Sequence, residues 1–285
     1  MAELRFEAIG TQWQIDTRNP LAPRLVDAIH ERIELYDATW SRFRADSFVS
    51  RIAETAGRWQ FPADAAPLFD LYRQLYDITD GAVTPLVGRR LEELGYDRDY
   101  SLRPAAHLTP VPAWDDVMHW DDGILTTTQP VVLDVGAAGK GYLVDIVAGL
   151  LRDAGIDEYV VDGSGDLVHR GDEPLRVGLE HPFDPKLAIG VYDLANGALC
   201  ASAPGRRAWG TGLHHILDGL SGEPTTTVAA TWASATTGLL ADGLATALFF
   251  TTGERLASRF DFEYVRMFPD SRVEHSRHFT GELFT

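Results

Sequence analysis

"GAAGKGYLVD", residues 136–145, places glycines at Gly136, Gly139 and Gly141 around Lys140 and then runs into an apolar pattern. Leu143, Ile146, Val147, Leu150 and Leu151 recur at helical spacing, and Gly155 closes the run. The stretch therefore reads as a glycine-rich turn that opens a helix. Free amides, the positive end of the helix dipole and one ammonium meet there, which is a setting for an anion. The familiar nucleotide loops do not fit. A P-loop needs glycine six residues before its lysine and Ser or Thr after it, and Asp134 and Gly141 occupy those positions. "GSGDLV", residues 163–168, begins like a dinucleotide fingerprint but has Val168 where the third glycine belongs. A parallel nucleotide-binding sheet is thus not indicated. The plainer alternative is a tight turn with a solvated lysine.

The flanking sequence mixes elements instead of repeating a βα unit. Residues 4–17 read as a strand opening, broken at Gly10. Helical spacing covers residues 23–36 (Val26, Ile29, Ile33, Tyr36) and the run Leu68, Leu71, Leu75, Ile78, which stops at Gly81. "VMHWDDGILTT" reads as a hairpin turning at Asp122–Gly123. After the quoted stretch come the strand and turn of "DEYVVDGSGDLVHRG", several short strands, a helix over roughly 233–250, and a last hairpin around Pro269–Asp270. No repeat, low-complexity run or linker interrupts the chain. The pattern predicts a single α+β domain over 1–285, with a largely antiparallel sheet and packed helices.

Composition narrows the functional classes. With 45% hydrophobic residues in 285, the chain can bury a full core. A formal net charge of -17 repels polyanions, so nucleic acid is not an expected partner. An anionic ligand must then be held by local amides, a well-placed cation or a metal. The single cysteine, Cys200, allows no disulfide within the chain, and its apolar neighbours mark it as a packed strand residue. No stretch has the length of a membrane span. The N-terminal residues show no basic region followed by an apolar one, so the expected location is cytoplasmic, with a removed signal left open.

Two further segments carry chemistry. In "ADGLATALFF", residues 241–250, Asp242 and Thr246 are four apart and share one helix face beside Gly243, on an otherwise apolar helix. A carboxylate there needs a partner, and a hard cation such as magnesium suits both Asp and a Thr hydroxyl. An arginine partner is the other possibility. "LHHILDGLSGEP", residues 213–224, brings His214, His215 and Asp218 into a short strand and turn, where a histidine is a candidate general base.

Taken in order, these segments resemble the ApbE family, the FAD:protein FMN transferases. "IGTQW" is similar to the family's Met-Gly-Thr opening, "SRFRADSFVSRI" to its Ser-rich segment and "TDGAVTPLVGRRLEELGYD" to its Asp-Gly-Ala segment. "LDVGAAGKGYLVD" resembles the Asp-x-Gly-Gly-x-x-Lys-Gly core, and "VDGSGDLVHRG" the Gly-Gly-Asp turn. "HHILDGLSGEP" and "ADGLATALF" match the His-Ile-Ile-Asp-Pro-x-Thr-Gly and Ala-Asp-x-x-x-Thr elements. The resemblance covers nearly the whole chain and implies the family's α+β architecture, related to the tunnelling fold. It implies FAD as substrate with magnesium, the metal on Asp242, the Thr246 hydroxyl and the Ala137 carbonyl. Asp134 and Lys140 would contact FAD, and Ile9, Phe43, Ala82, Val83, Thr84 and Ile216 would line the rest of its site. His215 is the candidate base toward a threonine on an acceptor flavoprotein. Three departures stand out: Thr84 replaces the usual Asp, Gly219-Leu220 the usual Pro-Arg, and "SAPGRR" from Ser202 the usual Ser-Gly-x-Tyr. FAD hydrolysis to FMN and AMP, or FAD binding without turnover, are the alternative functions.

Overall fold

The computed structural model describes residues 1–284, with Arg206 described by its backbone only. The chain forms two compact units: Met1–Glu34, Ala138–Gly205 and residues 226–284 in the first, Leu35–Ala137 and Arg206–Thr225 in the second. Each is assembled from segments distant in sequence, so no linker marks either of them.

The first unit is built on an eight-stranded sheet. Its strands lie in the order Ala2–Ala8, Thr11–Thr17, Tyr159–Asp162, Asp166–Arg170, Gly197–Ser202, Ala230–Ala235, Glu263–Met267 and Val273–His275. All seven neighbouring pairs are antiparallel, as the sequence pattern predicts. The first hairpin turns at Ile9 (φ 46°) and Gly10 (φ 73°), the two left-handed positions that a two-residue turn requires. Glycine adopts this conformation freely, whereas a β-branched isoleucine there is strained. Alternation sends Trp13, Ile15 and Thr17 inward while Gln12, Gln14 and Asp16 are less buried.

Two helices pack on this sheet, Gly139–Asp153 and Gly238–Ala247. The first buries Leu143, Val144, Val147 and Leu151. It stops where Gly155 (φ 76°) turns the chain and Ile156 N–H closes on the Leu151 carbonyl at 3.0 Å. The second begins later than the apolar pattern implies. Residues 233–235 belong to a strand whose Ala233 lies between Cys200 and Tyr264, and Thr237 Oγ1 caps the helix by accepting Leu240 N–H at 3.2 Å. Small residues suit a central strand lying under a helix as well as they suit a helix, so periodicity alone could not place this boundary.

In the second unit, helix Ala66–Ile78 buries Leu68, Leu71, Leu75 and Ile78. A three-stranded sheet places Ile124–Thr127 between Gly57–Gln60 and Met118–Asp121, and the expected turn falls at Asp122 (φ 44°) and Gly123 (φ 77°). Phe69 stacks on Trp120 with ring centroids 4.2 Å apart, at the centre of an aromatic core with Trp40 and Phe61. No helix among the described residues is long and apolar enough to cross a membrane.

Candidate active site

Lys140 lies in the first turn of helix Gly139–Asp153. Its ammonium donates to the Gly163 carbonyl at 2.7 Å and the Ser164 carbonyl at 3.3 Å, and pairs with Asp166 at 2.8 Å. The ammonium thus makes two hydrogen bonds to backbone and one ion pair. Lys140 therefore secures the 163–166 turn and neutralises Asp166, which is 1% exposed. It is not the solvated lysine of the plainer reading. The neighbouring Asp162 is pushed up by burial, although Gly165 N–H and Lys140 oppose the shift.

Asp242 is 4% exposed, and its Oδ2 accepts the Gly141 N–H at 2.9 Å. One of the amides expected to face a ligand is thus already taken by a side chain. Gly141 is glycine for another reason as well: a Cβ there would lie 2.1 Å from the Gly238 carbonyl oxygen and 2.6 Å from Asp242 Cβ. Close helix crossing, not ligand approach, requires it. Thr246 follows one turn later on the same helix, half-buried. Cys200 lies among these charges. Burial, reinforced by Asp166 and Asp242, pushes its thiol well up, which keeps it a packed, un-ionised strand residue.

In the second unit, Asp134 is gripped from two sides. Arg42 Nε donates to Oδ2 at 2.6 Å and Gly136 N–H donates to Oδ1 at 2.8 Å. Burial alone would raise the Asp134 carboxyl, but the Arg42 guanidinium outweighs it and holds the group below the usual range. Arg42 is 4% exposed, donates through Nη1 to the Tyr96 carbonyl at 2.8 Å, and lies over the Phe43 ring at 4.2 Å. Phe43 also stacks on Tyr100. Ala137 N–H donates to Tyr72 Oη at 3.2 Å, which fixes the end of the 134–137 loop. Arg42 was not among the residues expected from sequence; its only signal there is a charge set among aromatic and polar residues.

The His-His pair divides cleanly. His214 Nε2 faces the Thr225 carbonyl at 2.8 Å while its Nδ1 accepts Ile216 N–H at 3.2 Å. Both nitrogens serve the 213–225 hairpin, with the proton on Nε2. His215 is different. Its buried Nδ1 has no hydrogen-bond partner among the described residues, and burial, then the Arg207 and His214 charges, push the imidazole down to about 3. Ile216 is buried and its carbonyl accepts Thr225 N–H.

Ala82, Val83 and Thr84 lie against this same segment. Gly219 N–H donates to the Ala82 carbonyl at 2.8 Å. Thr79 Oγ1 accepts Val83 N–H, and Thr84 Oγ1 caps Leu86. Two of the departures meet here. A Cβ on Gly219 would lie 2.6 Å from Thr84 Cγ2 and 2.6 Å from the Gly81 carbonyl oxygen. The glycine and the threonine thus accommodate one another. Ile9, the remaining expected residue, is half-buried at the strained hairpin turn of the first unit.

The ApbE family pattern matches residues 9–264. A FAD:protein FMN transferase of Salmonella typhimurium is 26% identical over 249 residues, covering 78% of this chain and 70% of its own. One from Treponema pallidum is 26% identical over 285 residues, covering 88% and 79%. Among solved structures, the flavin transferase ApbE from Vibrio cholerae superposes with a TM-score of 0.80 over 96% of both chains at 21% identity. The ApbE protein of Thermotoga maritima superposes with 0.82 over 97% of both at 22%. The fold is theirs, and with the family pattern spanning most of its length the chain belongs to the ApbE family.

Proposed function

We propose that this chain is an FAD:protein FMN transferase that, with magnesium, moves FMN from FAD to a threonine hydroxyl of an acceptor protein and releases AMP. The names of its relatives support the reaction class. The observation that carries it furthest in this chain is that Asp242 and Thr246 stand one turn apart on helix Gly238–Ala247, in a region rich in carboxylates. Asp145, Asp166 and Asp242, with Lys140 as counter-charge, all act on Cys200.

This donor set fits magnesium. Asp242 and Thr246 offer hard oxygens one helical turn apart, and the Ala137 carbonyl is the proposed third ligand. Among the described residues no group of three or more His, Cys, Asp or Glu side chains is arranged to hold a metal. Magnesium in general is bound by one or two protein oxygens and keeps water and substrate phosphate in the rest of its shell. Bound there, magnesium supplies charge neutralisation on the pyrophosphate and polarises the phosphorus under attack.

The protein's own residues then have distinct tasks. The acceptor hydroxyl oxygen attacks the phosphorus next to riboflavin, the bond to the bridging oxygen breaks, and AMP leaves with that oxygen. His215 takes the hydroxyl proton: its imidazole is neutral at pH 7, and its Nδ1 has no partner to displace among the described residues. An approaching anionic pyrophosphate raises its basicity from the low ligand-free value. Lys140 supports the site mainly by fixing the 163–166 turn and placing one positive charge near it. Asp134, set in place by Arg42, together with Ile9, Phe43, Ala82, Val83, Thr84 and Ile216, is assigned to FAD.

The test is one incubation with FAD, magnesium and a threonine-bearing acceptor. Flavin fluorescence is read on the acceptor after denaturing electrophoresis, and AMP by chromatography. Covalent flavin together with AMP supports transfer. Free FMN with AMP replaces transfer by hydrolysis, and tight FAD with neither product reduces the protein to a flavin binder.

A further inference from the structure

Helices Gly139–Asp153 and Gly238–Ala247 carry the same five-residue pattern, Gly-x-x-x-Asp, at Gly141–Asp145 and Gly238–Asp242. They apply it to each other. Asp145 Oδ1 accepts the Gly238 N–H at 2.7 Å and its Oδ2 the Leu239 N–H at 2.8 Å. In return Asp242 Oδ2 accepts the Gly141 N–H at 2.9 Å. Between the two bridges the glycines touch back to back. A Cβ on Gly141 would meet the Gly238 oxygen at 2.1 Å, and one on Gly238 would meet the Gly141 oxygen at 2.5 Å. First-turn amides have no partner within their own helix. Here each helix supplies the carboxylate that satisfies the other's, at the positive end of its dipole.

The pair is symmetric in geometry and unequal in chemistry. Asp145 places one oxygen on each of two amides, and Asp242 is the carboxylate assigned above to magnesium. We propose that Asp145 is a positioning residue for Asp242: by clamping the start of one helix against the other, it sets where the Asp242 carboxylate stands at the head of the lysine-bearing helix. The choice of ion rests on the proposed function, whereas the clamp rests on the four residues themselves. A neutral Ser or Asn buries no charge but offers a single acceptor oxygen, whereas the carboxylate gives each amide its own. Burial pushes the Asp145 carboxyl up to about 6 despite its two N–H donors, so the charged cap is retained at a cost in stability. Charge-assisted hydrogen bonds are shorter and stronger than neutral ones, which is what a clamp of fixed geometry requires.

The test uses the full chain carrying Asp145→Asn, with two readouts. The first is hydrogen exchange at the Gly141, Gly238 and Leu239 amides in metal-free protein. The second is the dissociation constant for Mg²⁺ alone, by calorimetry. Positioning predicts faster exchange at Gly141, across the helix crossing, as well as at Gly238 and Leu239. It also predicts about a tenfold weaker Mg²⁺ affinity, as for other residues that orient a metal ligand. Faster exchange confined to Gly238 and Leu239, with Mg²⁺ affinity unchanged, would overturn the proposal and leave Asp145 a local cap. Asp242→Asn is measured beside it. If that variant binds Mg²⁺ as the parent does, the metal assignment fails, while Gly141 exchange still decides the clamp. Should Asp145→Asn unfold, Leu239→Pro removes one capped N–H at a first-turn position where proline is tolerated. Unchanged Gly141 exchange in that variant would equally overturn the proposal.

Discussion

Replacing Gly141 by alanine adds one methyl group at the tightest point of the helix crossing. The new Cβ would sit 2.1 Å from the Gly238 carbonyl oxygen and 2.6 Å from Asp242 Cβ, where ordinary contact begins near 3.4 Å. Both obstacles are backbone or the root of a side chain, so neither can swing aside. The helices must part by more than an ångström, which stretches the Gly141–Asp242 hydrogen bond beyond its useful range. Overpacking of this kind costs about 1–3 kcal/mol, and losing a hydrogen bond to a charged group costs about 1.5–3 kcal/mol. Alanine recovers about 1 kcal/mol through its better helix propensity. The net loss is about 1.5–5 kcal/mol, which lowers Tm by about 3–20 °C in a protein of this size. Gly149→Ala, on the same helix, is the control, because its Cβ would meet only Arg152 Nη2, at 3.8 Å. It should leave Tm unchanged or raise it slightly. Thermal unfolding followed by circular dichroism on both variants decides the matter. If Gly141→Ala melts with the parent, or if Gly149→Ala falls as far, the crossing is not the constraint argued here.

Other outcomes follow from the same geometry. Asp242→Asn should abolish magnesium-dependent turnover while metal-free Tm holds or rises, because the amide oxygen still accepts from Gly141 and the buried charge is gone; a large fall in Tm with turnover retained would contradict the metal assignment. Asp145, raised by burial from 3.8 to about 6, contributes stability that is fully present below about pH 3.8 and is lost as pH rises through about 6. Asp145→Asn should remove that slope from urea titrations taken between pH 4 and 6.5. His215 has the opposite sign: its folded value lies near 3, below the ordinary 6.5, so its contribution is present above pH 6.5 and is lost as pH falls toward 3. His215→Gln should flatten that part of the profile and slow transfer at pH 7.5; an unchanged rate would remove it as the base. Gly219→Pro should lower Tm, since it deletes the N–H held by the Ala82 carbonyl and drives a Cβ onto Thr84. Pairing it with Thr84→Ser, which removes the opposing methyl, should recover part of the loss.

The readable parts of this sequence were those with local causes. Gly10 announces a break and Asp122–Gly123 a hairpin because tight turns demand left-handed residues in place. The 66–78 helix is visible because its buried face repeats along the chain. The shared face of Asp242 and Thr246 was also legible, since two residues four apart on one helix need no distant partner to meet that condition. Hidden were the features whose causes lie far along the chain. Gly141 read as an opening for ligand, and its reason is a carbonyl at Gly238. Nothing local couples Arg42 to Asp134, 92 residues away, or Asp145 to Gly238, 93 away. His214 and His215 are indistinguishable by type, and only the hydrogen bonds around them separate the structural ring from the one whose Nδ1 has no partner among the described residues.

The mutual capping of the two helices also bears on how the protein is born. Asp242 lies 101 residues beyond the amide it satisfies. At roughly 5–20 residues per second, the ribosome takes about 5–20 s to cover that distance. Throughout that interval the nascent lysine-bearing helix has an uncapped head and a bare glycine groove. The carboxylate assigned to the ion arrives with the last part of the sheet to be made. Mutual capping of this kind cannot help to nucleate the lysine-bearing helix; it can form only after Asp242 has been made.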